Sequence, residues 1–196
     1  MKVLRIEEAP LQYLKTFRLH YEDRSGRLRI WEMVSRSGRE RLEKDLAGGN
    51  HSDGPMIVAW NEEKTHVVMI REYRVVAGRE IVTFPAGLCD KGESVLDAAV
   101  REFKEETGMD FHYIAQEGPR YTSVGLSDEK VHTVYGTFTG ELSQKYQEDS
   151  ERIVPFLVDR EEAIRLVNEA EMTVRSAFCL QMFFRIGPLF DLLSEE

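Results

Sequence analysis

Residues 87–109 read GLCDKGESVLDAAVREFKEETGM, and this stretch predicts the helix around which the rest of the fold is arranged. Ser94, with Asp97 three residues later, is typical of a capped helix start. Gly108 is typical of a helix end, because glycine readily adopts the left-handed conformation that closes a helix. We therefore expect a helix over about residues 95–107, with one apolar face packed on a sheet. The residues expected on this face are Leu96, Ala99, Val100 and Phe103.

A second face of the same helix carries three carboxylates, Glu102, Glu105 and Glu106, at i, i+3 and i+4 spacing. Like charges on adjoining turns repel each other, and most glutamate runs are simply solvated helix faces. Clustered carboxylate oxygens are, however, the ligands that hard cations such as Mg²⁺ and Mn²⁺ prefer. The pattern therefore allows two interpretations, a divalent metal site and a solvated helix face.

Runs of β-branched and aromatic residues predict strands before and after this helix, and two further helices follow. This order predicts an α+β fold, a mixed sheet layered with helices, plus a small antiparallel sheet at the N-terminus. We expect residues 1–50 to form an N-terminal β-hairpin or dimerisation arm and residues 51–196 to form the main domain. The charged segment 37–54 is predicted to be an exposed connection. The predicted strands are 15–23, 28–36, 55–60, 65–73, 80–84, 111–116, 120–124, 131–139 and 153–158, and the predicted later helices are 160–170 and 173–193.

Composition narrows the class of protein. The chain has 42% hydrophobic and 31% charged residues and no run of 18 apolar residues, so no membrane span is expected, and its first residues lack a signal-peptide layout. Cys89 and Cys179 lie far apart, which argues against a disulfide framework or zinc site and fits a reducing cytoplasm. A net charge of −9 disfavours general binding to nucleic acid or an anionic membrane, but local arginines or bound cations still allow a small phosphorylated substrate.

The helix and its loop resemble the Nudix box, GX5EX7REUXEEXGU, in which U is a bulky aliphatic residue. The resemblance implies a Nudix fold, an α/β/α sandwich with a mixed sheet, and magnesium-dependent hydrolysis of the pyrophosphate bond of a nucleoside diphosphate derivative. Two apolar residues, Phe103 and Met109, take the U positions. All seven fixed positions match at the right spacing: Gly87, Glu93, Arg101, Glu102, Glu105, Glu106 and Gly108.

The resemblance also implies a role for each residue of the box. Glu102 and Glu106 would be the principal ligands of Mg²⁺ (or Mn²⁺), with Glu105 as a further ligand, a group that orients water or the base. Ala86 would offer its backbone carbonyl to the metal. Arg101 would take part in catalysis by orienting the acidic cluster through an ion pair with the glutamate at the second fixed position, Glu93, although a purely structural role for that pair is equally open. Gly87 and Gly108 would be structural.

The sequence before the box is similar to that of the ADP-ribose and ADP-sugar pyrophosphatases. The run Arg71-Glu-Tyr-Arg74, then Gly78, then Phe84-Pro-Ala-Gly87 carries this likeness. Arg74 would contact a substrate phosphate or the terminal ribose, a task suited to a guanidinium group. Arg71 would bind substrate too, unless it is an ordinary exposed strand residue. For ADP-ribose, the resemblance implies AMP and ribose 5-phosphate as the products.

A loop after the box is similar to the same group's loop that carries a catalytic acid. It reads YTSVGLSDE at residues 121–129, and Glu129 is the candidate base, with Asp128 as the alternative. Two residues depart from the group's pattern. Val124 stands where a proline is usual, and Thr83 stands where a glutamate is common. Both departures concern the substrate, and neither concerns the metal cluster.

The N-terminal sheet fits the same group, whose members use such a sheet to form a swapped homodimer. Trp31 would then stack on an adenine at the dimer boundary or pack in the dimer core. The alternatives for the whole protein are hydrolysis of another nucleotide sugar, a dinucleotide or a flavin-type cofactor, a non-catalytic ADP-ribose sensor, and an interaction protein with a vestigial box. No function is assigned to the five histidines, His20, His51, His66, His112 and His132.

Overall fold

The computed structural model describes residues 3–9, 11–147 and 152–193, which fall into two compact units. One unit contains the residues up to Asp53 together with Gly118–His132, and the other contains Gly54–Glu117 and the residues from Thr133 on. In chain order the elements are β1 (Val3–Ala9), β2 (Lys15–Glu22), β3 (Leu28–Ser35), α1 (Arg39–Leu46), β4 (Gly54–Trp60), β5 (Val67–Arg74), β6 (Arg79–Thr83), α2 (Val95–Thr107), β7 (Asp110–Tyr121), β8 (Lys130–Thr139), β9 (Ile153–Val158), α3 (Arg160–Glu169), α4 (Val174–Phe184) and α5 (Pro188–Leu193).

The larger unit is built on a six-stranded sheet with the strand order β6-β5-β4-β8-β7, and β9 pairs with β5. Alternate residues of β4 point to opposite faces, as the pleat of a strand requires. Met56 and Val58 belong to a buried cluster with residues of α3 and α4. Ile57 and Ala59 belong to a second cluster with residues of α2. Because the sheet is covered on both faces, its middle strand β4 is apolar along its length, and the predicted α+β class is confirmed.

Helix α2 spans the predicted residues and ends as predicted. The backbone N–H of Asp97 donates to Ser94 Oγ at 3.1 Å, and Gly108 closes the helix with φ of 76°. Phe103 is fully buried, which stabilises the helix on the sheet by roughly 1.5–3 kcal/mol. The expected apolar face was only partly right, since Leu96 and Val100 are exposed.

The buried stripe of α2 runs instead through Ala99, Phe103 and Glu106, which follow one another at i, i+4 and i+7. This is the spacing of residues that share a helix face. Glu106 therefore lies on the line that faces the core, and only 5% of it is exposed. The prediction that all three glutamates share a separate face was wrong for this residue.

The smaller unit contains the antiparallel sheet β1-β2-β3 and the helix α1. Phe17 pairs with Met33 across β2 and β3, and Leu42 of α1 is buried in the same cluster. The predicted N-terminal antiparallel sheet is confirmed, but β1 was not foreseen. The prediction of an exposed connection over residues 37–54 was wrong in part, because this segment contains helix α1. Leu42 is the one buried residue of this helix, which is otherwise almost wholly charged.

Two other boundaries differ from the prediction. Residues 111–116 and 120–124 were predicted as separate strands, but β7 runs continuously through Gly118 and Pro119. The single predicted helix over residues 173–193 is divided into α4 and α5 by Gly187, which has φ of 91° and precedes Pro188. In the part of the chain that is described, no helix is long and apolar enough to cross a membrane.

Candidate active site

The loop that follows β6 is held against β4 and brings its backbone to helix α2. Ile57 N–H donates to the carbonyl of Pro85 at 2.8 Å, and Ala86 forms a bridge with Met56. At Gly87 the loop passes directly beside the Glu102 carboxyl group, so that a Cβ at this position would overlap it. Glycine is therefore required here for close approach, and not for an unusual backbone angle.

Glu106 meets the same two-residue stretch of backbone. Its Oε2 accepts a hydrogen bond from Ala86 N–H at 3.0 Å, and its own backbone carbonyl accepts from Gln147 Nε2 at 3.1 Å. Glu102 lies against the next residue, Gly87. Two carboxylates one helical turn apart thus converge on residues 86–87, where the resemblance places the metal.

Arg101 joins the loop to the acidic face of α2. Its guanidinium donates to both carboxylate oxygens of Glu93, at 2.9 and 2.8 Å, and to the backbone carbonyl of Leu88 at 3.0 Å. It also donates to Glu102 at 2.9 Å and to Glu105 at 3.1 Å. These bonds, those to Glu93 above all, raise the pKa of Arg101, so it stays a cation. A planar fork with five donors suits this position better than an ammonium group would.

Glu93 has a strongly lowered pKa. Hydrogen bonds from Arg101, and then one from the backbone N–H of Asp90, lower its pKa from 4.5 to about 2. Glu93 is thus ionised throughout the neutral range and serves as the anchor of Arg101. This arrangement supports the orienting role that the sequence suggested for the pair.

The ion pair between Glu93 and Arg101 leads to a prediction about stability and pH. Glu93→Gln should lower the free energy of unfolding at pH 7 by about 2 kcal/mol, the typical contribution of hydrogen bonds to charged groups. Because the folded-state pKa lies below its ordinary value, this contribution is complete above pH 4.5 and is lost as the pH falls toward 2. Urea titrations between pH 7 and pH 3 would measure it.

The exposed Glu141 supplies the control for that experiment, since Glu141→Gln should change stability little at any pH. The interpretation fails if wild type and Glu93→Gln differ by the same amount at pH 7 and pH 3.

The donor set of this site fits a divalent cation by its chemistry. The three glutamates offer only oxygen, and two of them adjoin one backbone segment. Among the described residues, no three acidic, imidazole or thiol side chains are placed so that together they could hold a metal ion. Arg101 bonds to Glu102 and Glu105, so these two carboxylates would exchange that partner for a cation.

The two arginines before the box differ in their surroundings. Arg71 stacks its guanidinium over the Phe156 ring, 5.0 Å from the ring centre. Arg74 is half-exposed at the end of β5, where it pairs with Glu72 at 2.8 Å. Burial raises the pKa of Glu72, and the positive charge of Arg74 offsets only part of this rise. Arg74 is thus the more available of the two to a substrate phosphate.

Thr83, one of the two departures from the group's pattern, has a structural partner. It is buried, and its hydroxyl lies 2.9 Å from that of Ser176, which also accepts from the backbone N–H of Phe84 at 3.3 Å. Ser176 lies in the first turn of α4 and is fully buried. The sequence did not reveal this pairing, because 93 residues separate its members.

The candidate base lies in the smaller unit, on the loop between β7 and β8. Thr122 Oγ1 donates to Glu129 at 2.6 Å, and Arg36 Nε donates to its other oxygen at 3.2 Å. Asp128 accepts from the buried Ser35 hydroxyl at 2.9 Å, and burial raises the pKa of Asp128. The Glu129 side chain is 28% exposed, so water can reach it.

Three other positions of the smaller unit were singled out by the sequence. Trp31 lies on β3 opposite Leu19 and is half-exposed, which leaves its ring open to a ligand or a partner. Val124 is exposed on the loop that carries Glu129. The ring nitrogens of His51 lie close to the carboxylates of Asp45 and Asp53, so it has a structural position that its sequence spacing did not suggest.

Comparisons with known proteins identify the family of the chain. The profile of the NUDIX domain matches residues 51–178, which include the whole box. The ADP-ribose pyrophosphatase of Bacillus subtilis is 31% identical over 130 residues, 65% of this chain and 70% of that protein. The ADP-sugar pyrophosphatase of Mus musculus is 29% identical over 134 residues, 66% of this chain but only 57% of the mouse protein.

A solved structure is similar over nearly the whole chain. The crystal structure of an ADP compounds hydrolase has a TM-score of 0.68 and 21% identity, and the match covers 94% of this chain and 91% of that one. At this identity the match supports the fold alone, and it agrees with the predicted α+β sandwich and its mixed sheet. Together with the profile match over most of the chain, it confirms the resemblance on which the site was predicted. The chain therefore belongs to the Nudix family of pyrophosphate hydrolases.

Proposed function

We propose that this Nudix enzyme hydrolyses the pyrophosphate bond of ADP-ribose or an ADP-sugar in a reaction that depends on Mg²⁺, or Mn²⁺, and releases AMP and a sugar phosphate. The observation that carries the proposal is the convergence of Glu102 and Glu106 on residues 86–87, with Arg101 tying Glu93 to the same cluster. The relatives named above for ADP-ribose and ADP-sugars support the choice of substrate.

The metal site of this proposal is formed by Glu102, Glu105, Glu106 and the backbone carbonyl of Ala86. Bound divalent cations would supply neutralisation of the pyrophosphate charge and activation of water. Arg101 would hold the carboxylates in place before the cations bind. Glu106, which is buried and bonded to Ala86, would be the least mobile of the ligands.

The reaction itself is an attack of water on one phosphorus atom of the pyrophosphate. The bond between that phosphorus and the bridging oxygen breaks, and its electron pair leaves with the departing phosphate. The proton of the attacking water passes to Glu129, the loop acid that the resemblance indicates, with Asp128 as its alternative on the same loop. Glu105 is the alternative acceptor. Arg74 binds a substrate phosphate or ribose, with Arg71 as a weaker candidate, and Trp31 stacks on the adenine.

The proposal extends to the assembly and its location. The chain would act as a homodimer through its N-terminal arm, residues 1–50, with residues 51–196 as the catalytic domain. It would act in the cytoplasm on a small nucleotide and not on nucleic acid or a membrane surface. The net charge of −9 and the two free cysteines, Cys89 and Cys179, support this setting.

A substrate screen tests the proposal. Purified protein is incubated with ADP-ribose, ADP-glucose, a UDP-sugar, a dinucleotide and FAD, either with Mg²⁺ in excess over the protein and substrate or with EDTA. We expect release of AMP from ADP-ribose or the ADP-sugar, which EDTA abolishes. Faster hydrolysis of another compound would move the enzyme to that substrate class. Binding of ADP-ribose without any hydrolysis would instead identify a sensor.

A further inference from the structure

The backbone on both sides of the candidate base is fixed within the smaller unit. Thr122 N–H donates to the carbonyl of Glu129 at 3.0 Å. The next residue, Lys130, donates its N–H to Asp53 Oδ2 at 2.9 Å and accepts from Asp53 N–H at 2.7 Å. The position of the Glu129 Cα is therefore set by main-chain bonds, and the direction of its carboxylate depends on the side chains around it.

Two side chains hold that carboxylate, one on each oxygen. Thr122 Oγ1 donates to Oε2 at 2.6 Å, and Arg36 Nε donates to Oε1 at 3.2 Å. With both oxygens engaged, the carboxylate has a defined plane and cannot rotate freely. A proton acceptor needs such orientation, because a misplacement of about 1 Å can lower a rate by about 100-fold.

The segment that carries Arg36 is itself fastened to this loop. The end of β3 pairs with the loop through Val34 N–H, which donates to the carbonyl of Leu126 at 3.0 Å. Ser35 donates to Asp128 at 2.9 Å and accepts from Ser37 N–H at 3.0 Å. These hydrogen bonds hold the end of β3, and with it Arg36, beside Glu129.

We propose that Thr122 and Arg36 are positioning residues that fix the orientation of the Glu129 carboxylate. The inference rests on the proposed function, in which Glu129 accepts the proton. Thr122 should matter more than Arg36, because its hydrogen bond is the shorter one and Arg36 is half-exposed, where ion pairs are weakened by solvent. Neither residue belongs to the box, and neither would contact the metal.

The test measures kcat and KM on the substrate that the screen identifies, for Thr122→Val, Thr122→Ser, Arg36→Gln and Glu129→Gln. Valine keeps the shape of threonine but removes the hydroxyl, whereas serine keeps the hydroxyl. We expect Thr122→Val to lower kcat by about 10- to 100-fold with KM changed less than about twofold. Thr122→Ser should retain most of the turnover, and Arg36→Gln should lose less than Thr122→Val.

The double variant Thr122→Val with Glu129→Gln gives the decisive comparison. If Thr122 acts through Glu129, it adds no further loss once the carboxylate is gone. Independent losses that multiply, or wild-type turnover in Thr122→Val, would refute the inference while the proposed function stands. Wild-type turnover in Glu129→Gln would refute it as well. A wild-type enzyme without any hydrolysis would refute both, and urea unfolding of each variant distinguishes misplacement from unfolding.

Discussion

Glu106→Gln is expected to lower kcat by about 1,000-fold while the protein remains folded. Metal ions contribute several kcal/mol to transition states of this kind, and each 1.36 kcal/mol corresponds to a tenfold change in rate. Loss of the ligand with the least exposure should forfeit most of that contribution. Glutamine keeps an oxygen that can accept from Ala86 N–H, so the buried hydrogen bond at 3.0 Å is preserved. The measurement is AMP release at saturating substrate over a range of Mg²⁺ concentrations.

The exposed Glu161 on helix α3 provides the matched control. Glu161→Gln removes the same charge from the protein but touches neither the box nor the loop of Glu129, and its turnover should equal that of wild type. If Glu106→Gln keeps a third or more of the wild-type turnover, Glu106 is not an essential metal ligand. In that case the acidic face of α2 would have to be explained by packing alone.

The local features of the site were predictable because each depends on residues close in sequence. The cap at Ser94, the end at Gly108 and the carboxylate spacing are all set by the geometry of a single helix. The pairing of Glu93 with Arg101 is also local, over eight residues. The cap, the helix end and the spacing follow from propensity and periodicity, whereas the pairing of Glu93 with Arg101 was implied by the resemblance to the Nudix box.

The features that were missed depend on contacts between distant segments. Arg36 meets Glu129 across 93 residues, and no pattern within either segment indicates the other. Helix α1 was missed because a single buried leucine, Leu42, gives no apolar periodicity. The burial of Glu106 was missed for a related reason, since a charged residue on the apolar stripe is expected to face solvent unless a partner such as Ala86 N–H is known.

Gly87→Ala is expected to lower kcat by about 100-fold and to reduce the free energy of unfolding by about 1–3 kcal/mol. The new methyl group would overlap the Glu102 carboxyl, so either the carboxylate or the loop must move. A ligand shifted by about 1 Å accounts for a loss of this size, and the Mg²⁺ concentration needed for half-maximal turnover should rise. The measurements are turnover against Mg²⁺ concentration and urea unfolding.

A double-mutant cycle with Glu102→Ala separates this overlap from other effects of the substitution on the loop. Glu102→Ala removes the group that the methyl would meet, so in that background Gly87→Ala should cost less than about half of its stability effect in the wild type. Equal costs in both backgrounds would show that the methyl group disturbs something other than Glu102. The glycine at the first position of the box would then be required by the loop's own backbone, whereas the overlap implies that it is required by Glu102, the first of the proposed metal ligands on α2.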